Sequence, residues 1–191
     1  MKQLILDAAM KLFLDKGFYS VSIRNIADAI EYSPATIYLY FKDKDDILFA
    51  LHNAGFERLY KRQQKTLTIK DPGDRLRKQG EVYIRFALEQ PEYYNLMFIM
   101  RSPLRKVGKD EEWNAGRRAY ETLKDNVEAA INAGVLEKAD PEIATYALWS
   151  LAHGIVSLIL RNRCPIADKK AQLNIALDTF GFLASNLGFA A

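Results

Sequence analysis

The chain holds 191 residues, 49% of them hydrophobic and 27% charged, with one cysteine and six prolines. That balance excludes a disordered chain, and the single Cys164 excludes a disulfide framework and suits a reducing compartment. The formal net charge of +3 is small, and residues 1–50 carry six basic against seven acidic side chains, so gross charge does not announce a nucleic-acid partner.

Apolar residues recur at helical spacing almost throughout, with no alternating strand pattern and no internal repeat, so the expected fold is all-α with about nine helices. Ile5, Ala8, Ala9, Leu12 and Phe13 form one stripe, which predicts a first helix over about 3–16 with Gly17 as its C-terminal cap. Lys2, Asp7 and Lys11 interrupt the apolar positions of this segment, so no secretory leader is evident and a cytoplasmic location is expected. Ser22 caps a short second helix that buries Ile23, Ile26, Ala27 and Ile30. Ser33-Pro34 then gives a side-chain cap followed by proline at the first helical position, which starts a third helix over about 34–40. Asp43, with Asp46 three residues on, marks the positive end of a long fourth helix reaching about Lys65.

Asp71-Pro72-Gly73 is the strongest break in the chain and places a domain boundary near 66–73. The division expected is a helix-turn-helix domain over 1–48, a connecting helix over about 44–65, and a second domain over 66–191. Beyond the break, helices are expected at about 74–89, 92–100, 110–132, 141–161 and 168–187. Residues 143–160 contain no Asp, Glu, Lys or Arg, which touches the lower limit for a membrane span. Thr145, Ser150, His153 and Ser157 interrupt that stretch, so it reads instead as a helix buried on several sides, by its own core and by a partner subunit.

Two short helices joined by a tight turn, braced by longer helices before and after, let the second short helix project into a DNA major groove. That helix and its flank, Ser33 to Phe41, contain no acidic residue. They offer small polar groups, backbone amides and the hydroxyls of Tyr38 and Tyr40, while Ile37 and Phe41 point inward. The runs I-x-x-A-A-x-x-L-F-x-x-x-G-F, S-I-R-x-I-A and S-x-A-T-I-Y-x-Y-F-x-x-K-x-x-I-L, over residues 5–48, resemble the TetR family of transcriptional regulators.

The resemblance implies a homodimeric, all-helical, ligand-responsive DNA-binding protein, most often a repressor that leaves its operator when a small molecule binds. It implies DNA-facing positions at Ser22, Arg24, Ala35, Thr36, Tyr38, Leu39, Tyr40 and Lys44. Of these, Tyr38, Tyr40 and Lys44 are expected on phosphates and Arg24, Ala35, Thr36 and Leu39 nearest base edges. Three departures stand out: Glu31 occupies the turn where the family has glycine, Ala35 replaces the usual glycine of the third helix, and almost nothing precedes helix one as a basic arm. Glu31 is therefore expected at positive φ, with some strain.

Tyr93–Phe98 after Pro91, with Trp149 and His153-Gly154, resembles one C-terminal domain type of that family. An apolar effector cavity is expected among Tyr83, Phe86, Met97, Phe98, Met100, Trp113, Tyr120, Trp149 and His153. At helical spacing such residues are more often simple core, and His153 a core or interface histidine bonded to a neighbouring group. A dimer face is expected at Leu151, Ile155, Leu158, Leu173, Leu177, Phe180 and Leu187, the last two long helices forming a four-helix bundle with their mates. The partners expected are thus a double-stranded DNA operator with two related half-sites, a small-molecule effector and a second copy, with no membrane.

His52 and His153 lack a glutamate three residues before them, and no G-x-S-x-G, P-loop, G-x-G-x-x-G or CxxC is present, so neither an enzyme nor a cofactor or metal site is expected. The competing function is a helical small-molecule-binding or scaffolding dimer that has kept the helix-turn-helix shape and no longer binds DNA.

Overall fold

The computed structural model describes residues 1–101, 114–165 and 168–186, and among these every regular element is helical. In chain order they are α1 (Lys2–Lys16), α2 (Ile23–Ala29), α3 (Pro34–Tyr38), α4 (Lys44–Gln64), α5 (Pro72–Glu89), α6 (Pro91–Tyr94), α7 (Asn114–Asn132), α8 (Pro141–Leu160) and α9 (Lys169–Asn186). Trp113, Leu187 and the expected start of a helix near 110 lie outside the described residues.

The starts are written in the local sequence. Ser22 Oγ accepts from Asn25 N–H at 3.1 Å, and Asn25 Oδ1 accepts back from Ser22 N–H at 2.8 Å. Ser33 accepts from Thr36 N–H, Asp43 from Asp46 N–H and Asp140 from Glu142 N–H, each ahead of its helix. Asp71-Pro72, expected as a break, is a third instance of cap then proline: Asp71 accepts from Asp74 N–H at 2.8 Å and Pro72 opens α5.

The chain forms two compact units, residues 1–57 with 92–116 and residues 58–91 with 117–191. In the first, Ile5, Ala9, Phe13, Ile26, Ile37 and Leu48 are buried together, and Leu6 and Met10 are buried where Ala8 and Leu12 were expected; those two pack at the margin. Leu96 belongs to the same cluster. It sits on a π-helical turn, Asn95–Ile99, closed by Met100 N–H donating to Asn95 O at 2.7 Å, where a plain helix over 92–100 was expected. The wide turn puts the consecutive Leu96 and Met97 both inside. His52, buried against Phe56 with ring centroids 4.9 Å apart, is hydrogen-bonded to the Met97 backbone, and burial pushes its imidazole down to about 4.

In the second unit α5 packs against α8 and α9. Leu76, Val127, Ala130, Leu136 and Leu148 form its core. Phe180 is 3% exposed and lies over Gly80, where an added Cβ would stand 1.9 Å from Phe180 Cε1. A polar line crosses the same interior: Arg75 Nε donates to Asn126 Oδ1 at 2.8 Å, and Asn126 Nδ2 donates to Gln79 Oε1. The helix α8 is long and apolar enough to cross a membrane by length and composition, yet Thr145, Leu148, Ala152 and Val156 bury one of its faces within the unit.

The link between α2 and α3 has Glu31 at φ 58, as its position in the turn led us to expect. Tyr32 N–H donates to Ala27 O and Glu31 N–H to Asp28 O, the pair of bonds that closes a helix through a left-handed residue. A side chain there costs about 1 kcal/mol. Glu31→Gly, which also loosens the unfolded chain, is expected to raise the melting temperature by about 1–3 °C, and calorimetry of the two proteins checks it.

Candidate nucleic-acid interface

The five-residue α3 owes its position to what surrounds it. Ile37 is fully buried and Phe41 is 5% exposed, so two inward side chains pin the helix to the core and leave the rest of its circumference outward. Ala35 is exposed and Thr36 half-buried. Tyr38 is 57%, Leu39 81% and Tyr40 44% exposed. No charged residue occurs from Tyr32 to Phe41. Arg24 stands exposed on α2, in the unit that holds α3.

Two of the four expected hydroxyls, those of Ser22 and Thr36, have partners within the chain. Ser22 Oγ donates to Asn25 Oδ1 at 2.8 Å while accepting from its N–H. Thr36 Oγ1 lies 3.2 Å from Ser33 Oγ. Lys44, expected on a phosphate, sends its ammonium inward: Nζ donates to Phe18 O at 2.7 Å and to Val21 O at 2.6 Å, and sits 4.2 Å from the Phe18 ring centroid. Burial pushes this lysine below its ordinary value, with Asp45 opposing the shift. Phe18 and Val21 are themselves buried, so Lys44 caps carbonyls at the entry to α2 that water does not reach freely.

The residues expected to line an effector cavity fall into two groups. Met97, Phe98 and Met100 belong to the first unit, where Phe98 packs edge-on to Phe56 at 5.5 Å. Tyr83, Phe86, Tyr120, Trp149 and His153 belong to the second. There a hydrogen bond of 3.0 Å joins Tyr83 Oη and His153 Nδ1, and burial disfavours the charged imidazole. Trp149 has ring contacts with His153 at 6.3 Å, Tyr120 at 6.2 Å and Tyr146 at 5.9 Å. Tyr120 Oη donates to Glu142 Oε1 at 2.6 Å, and partial burial with this bond holds the phenol up at about 12. Phe86 is wholly buried beneath the Arg62 guanidinium, which also pairs with Glu89 at 2.7 Å, so it is core and not cavity lining.

Among the dimer-face expectations Phe180 is corrected: its ring is spent over Gly80 inside its own unit. Leu158 is exposed, and Leu151, Ile155, Leu173 and Leu177 are half-buried. Sequence reasoning missed a cleft of about 600 Å³ between α5 and α9, lined by Arg77, Glu81, Leu177, Asp178, Phe180 and Phe182. Its residues come from helices almost a hundred positions apart, which leaves no local signal.

A capped short helix with a buried pin, an uncharged outward face and a left-handed turn before it is the geometry of a helix-turn-helix within an all-helical protein. The chain belongs to the TetR family: residues 5–51 match the bacterial regulatory proteins, tetR family, and residues 76–180 match the Tetracyclin repressor-like C-terminal domain. It is 30% identical over 156 residues to the HTH-type transcriptional regulator HbdR of Aromatoleum sp. (strain CIB), covering 78% of this chain and 66% of that one. It is 27% identical over 163 residues to the HTH-type transcriptional regulator YuxN of Bacillus subtilis (strain 168), covering 83% of this chain and 53% of that one. The chain thus spans between about half and two thirds of the length of these relatives. Its fold is similar to that of the transcriptional regulator FadR from Bacillus subtilis in complex with stearoyl-CoA, with a TM-score of 0.79, 17% identity and all of both chains covered.

Proposed function

We propose that this protein is a cytoplasmic, homodimeric repressor that seats α3 of each subunit in the major groove and releases its operator on binding a small molecule. The observation that carries the reading is the outward face of α3, exposed and uncharged, on a helix fixed by Ile37 and Phe41. Two subunits would read related half-sites about 34–36 Å apart. In this reading residues 1–48 address DNA, and residues 66–191 hold the effector and the dimer face. Tyr38 and Tyr40 donate to phosphates, whereas Lys44 and Ser22 act by holding the entry to α2.

The dimer reading rests on α8 and α9. Ile143, Tyr146 and Leu158 on α8, with Ile175 and Phe182 on α9, are 44–69% exposed in the single chain. Gly154 and Gly181 have nothing within 4 Å of an added Cβ, so each gives up helix propensity for no contact inside its own subunit. The aromatic set Tyr83, Tyr120, Trp149 and His153 supports an apolar or amphipathic effector in the second unit. The stearoyl-CoA held by the fold neighbour FadR is of that chemical kind.

A gel shift at low salt against the DNA flanking its own gene tests the reading, and no shift from a folded dimer would favour a scaffold that has lost DNA binding. Tyr40→Phe is expected to weaken binding about tenfold on every sequence alike. Because the substitution removes a hydroxyl and no formal charge, the slope of log K against log salt stays as it was. Anisotropy titrations over a salt series check both, and an unchanged affinity would remove Tyr40 from the contact set.

A further inference from the structure

The residues that α3 and its C-terminal cap are expected to bring nearest a base edge carry a single hydrogen-bonding side-chain group among them, the Thr36 hydroxyl. Ala35 has none. Thr36 presents a methyl beside its hydroxyl, which lies 3.2 Å from Ser33 Oγ. Leu39, at the C-terminal cap of α3, is 81% exposed, more than any other large apolar side chain among the described residues. Nothing within the chain is gained by placing leucine there, since apolar surface left in water forgoes the burial that stabilises the rest of the first unit.

What such a face fits follows from the groove. Most of a base-pair edge consists of nitrogen and oxygen atoms hydrated in free DNA. Pressing hydrocarbon against them removes that water and returns no bond. The 5-methyl group of thymine is the exception, because contact with it buries apolar surface on both sides. We propose that this protein reads its operator half-site through thymine methyl groups contacted by Ala35, the Thr36 methyl and Leu39. This rests on the reading that α3 enters the major groove.

The test begins by selecting preferred duplexes from a random pool with the intact protein. Each thymine of the selected half-site is then replaced by uracil, which pairs identically and lacks only the methyl. At one or more positions per half-site, uracil is expected to weaken binding about fourfold for each methyl lost. Leu39→Ala and Thr36→Ser, the latter keeping the bond to Ser33, are each expected to abolish the thymine–uracil difference at one of those positions while leaving the salt slope unchanged. Leu39 and Thr36 are outward enough for both variants to fold, and their melting curves verify it. Sequence-selective binding that is equal for thymine and uracil everywhere would overturn the methyl readout and leave the regulator reading intact. The same holds for a difference that survives in both variants. Failure to select any preferred duplex would overturn the regulator reading itself, and the methyl readout with it.

Discussion

Lys44→Met is expected to cost about 3 kcal/mol and to lower the melting temperature by about 6–12 °C, although the side chain lies partly at the surface. The substitution keeps the length and most of the apolar stem, and removes a charge that serves two carbonyls. Phe18 O and Val21 O then lose donors at 2.7 and 2.6 Å, and the Phe18 ring loses the cation 4.2 Å from its centre. Because those carbonyls lead into α2, where Ser22 and Arg24 begin the helix, affinity for every duplex falls with stability. The salt slope is the deciding readout. A lysine on a phosphate contributes about 0.9 to that slope, whereas a lysine holding carbonyls contributes little. Thermal melts and a salt series on the same protein separate the roles: an unchanged melting temperature with a slope smaller by about one would make Lys44 a phosphate contact.

Phe180→Ala is expected to destabilise the second unit by about 3–5 kcal/mol, the usual loss for emptying a buried aromatic site. Its counterpart, Gly80→Ala, sets two effects against each other. Helix propensity favours alanine by about 1 kcal/mol in the interior of α5. The steric term is larger, since the new Cβ would stand 1.9 Å from Phe180 Cε1 and the ring, itself 3% exposed, has little room to swing away. Net destabilisation of about 1–2 kcal/mol is therefore expected, partly recovered in the double variant Gly80→Ala with Phe180→Leu. Urea unfolding of the three proteins checks this, and a stabilised Gly80→Ala would show that the close approach of ring and helix is not maintained in solution.

What the sequence disclosed and what it hid divide by range. Caps act over three or four residues, and Ser22, Ser33 and Asp43 announced their helices from local sequence alone. Glu31 was legible for the same reason, because the turn it closes needs a left-handed residue whatever lies elsewhere. The inward pair Ile37 and Phe41 was readable from spacing, and with it the outward face of α3. Hidden were the features whose partners are distant in sequence. The ammonium of Lys44 reaches carbonyls 23 and 26 positions back, partners that a reading of neighbouring residues does not supply. Phe180 looked like an interface residue until Gly80, a hundred positions earlier, supplied the gap it fills. The expected cavity set mixed two groups because helical periodicity says that a side chain faces inward and not which interior it faces.

The two units are not contiguous stretches of chain: residues 92–116 return to the unit that residues 1–57 begin, and Leu96 completes the cluster built by Ile5, Phe13, Ile37 and Leu48. This bears on how such regulators can be recombined. A graft that exchanges everything before residue 58 between two members, a natural design for giving one effector domain the operator choice of another, carries off a core whose last piece stays behind on the recipient. Such hybrids should succeed where the recipient also offers a leucine-sized residue at the place of Leu96, or where 92–100 travels with the graft. A regulator of this kind is exchanged by interior surfaces, and a cut in the chain that ignores them delivers an address without its backing.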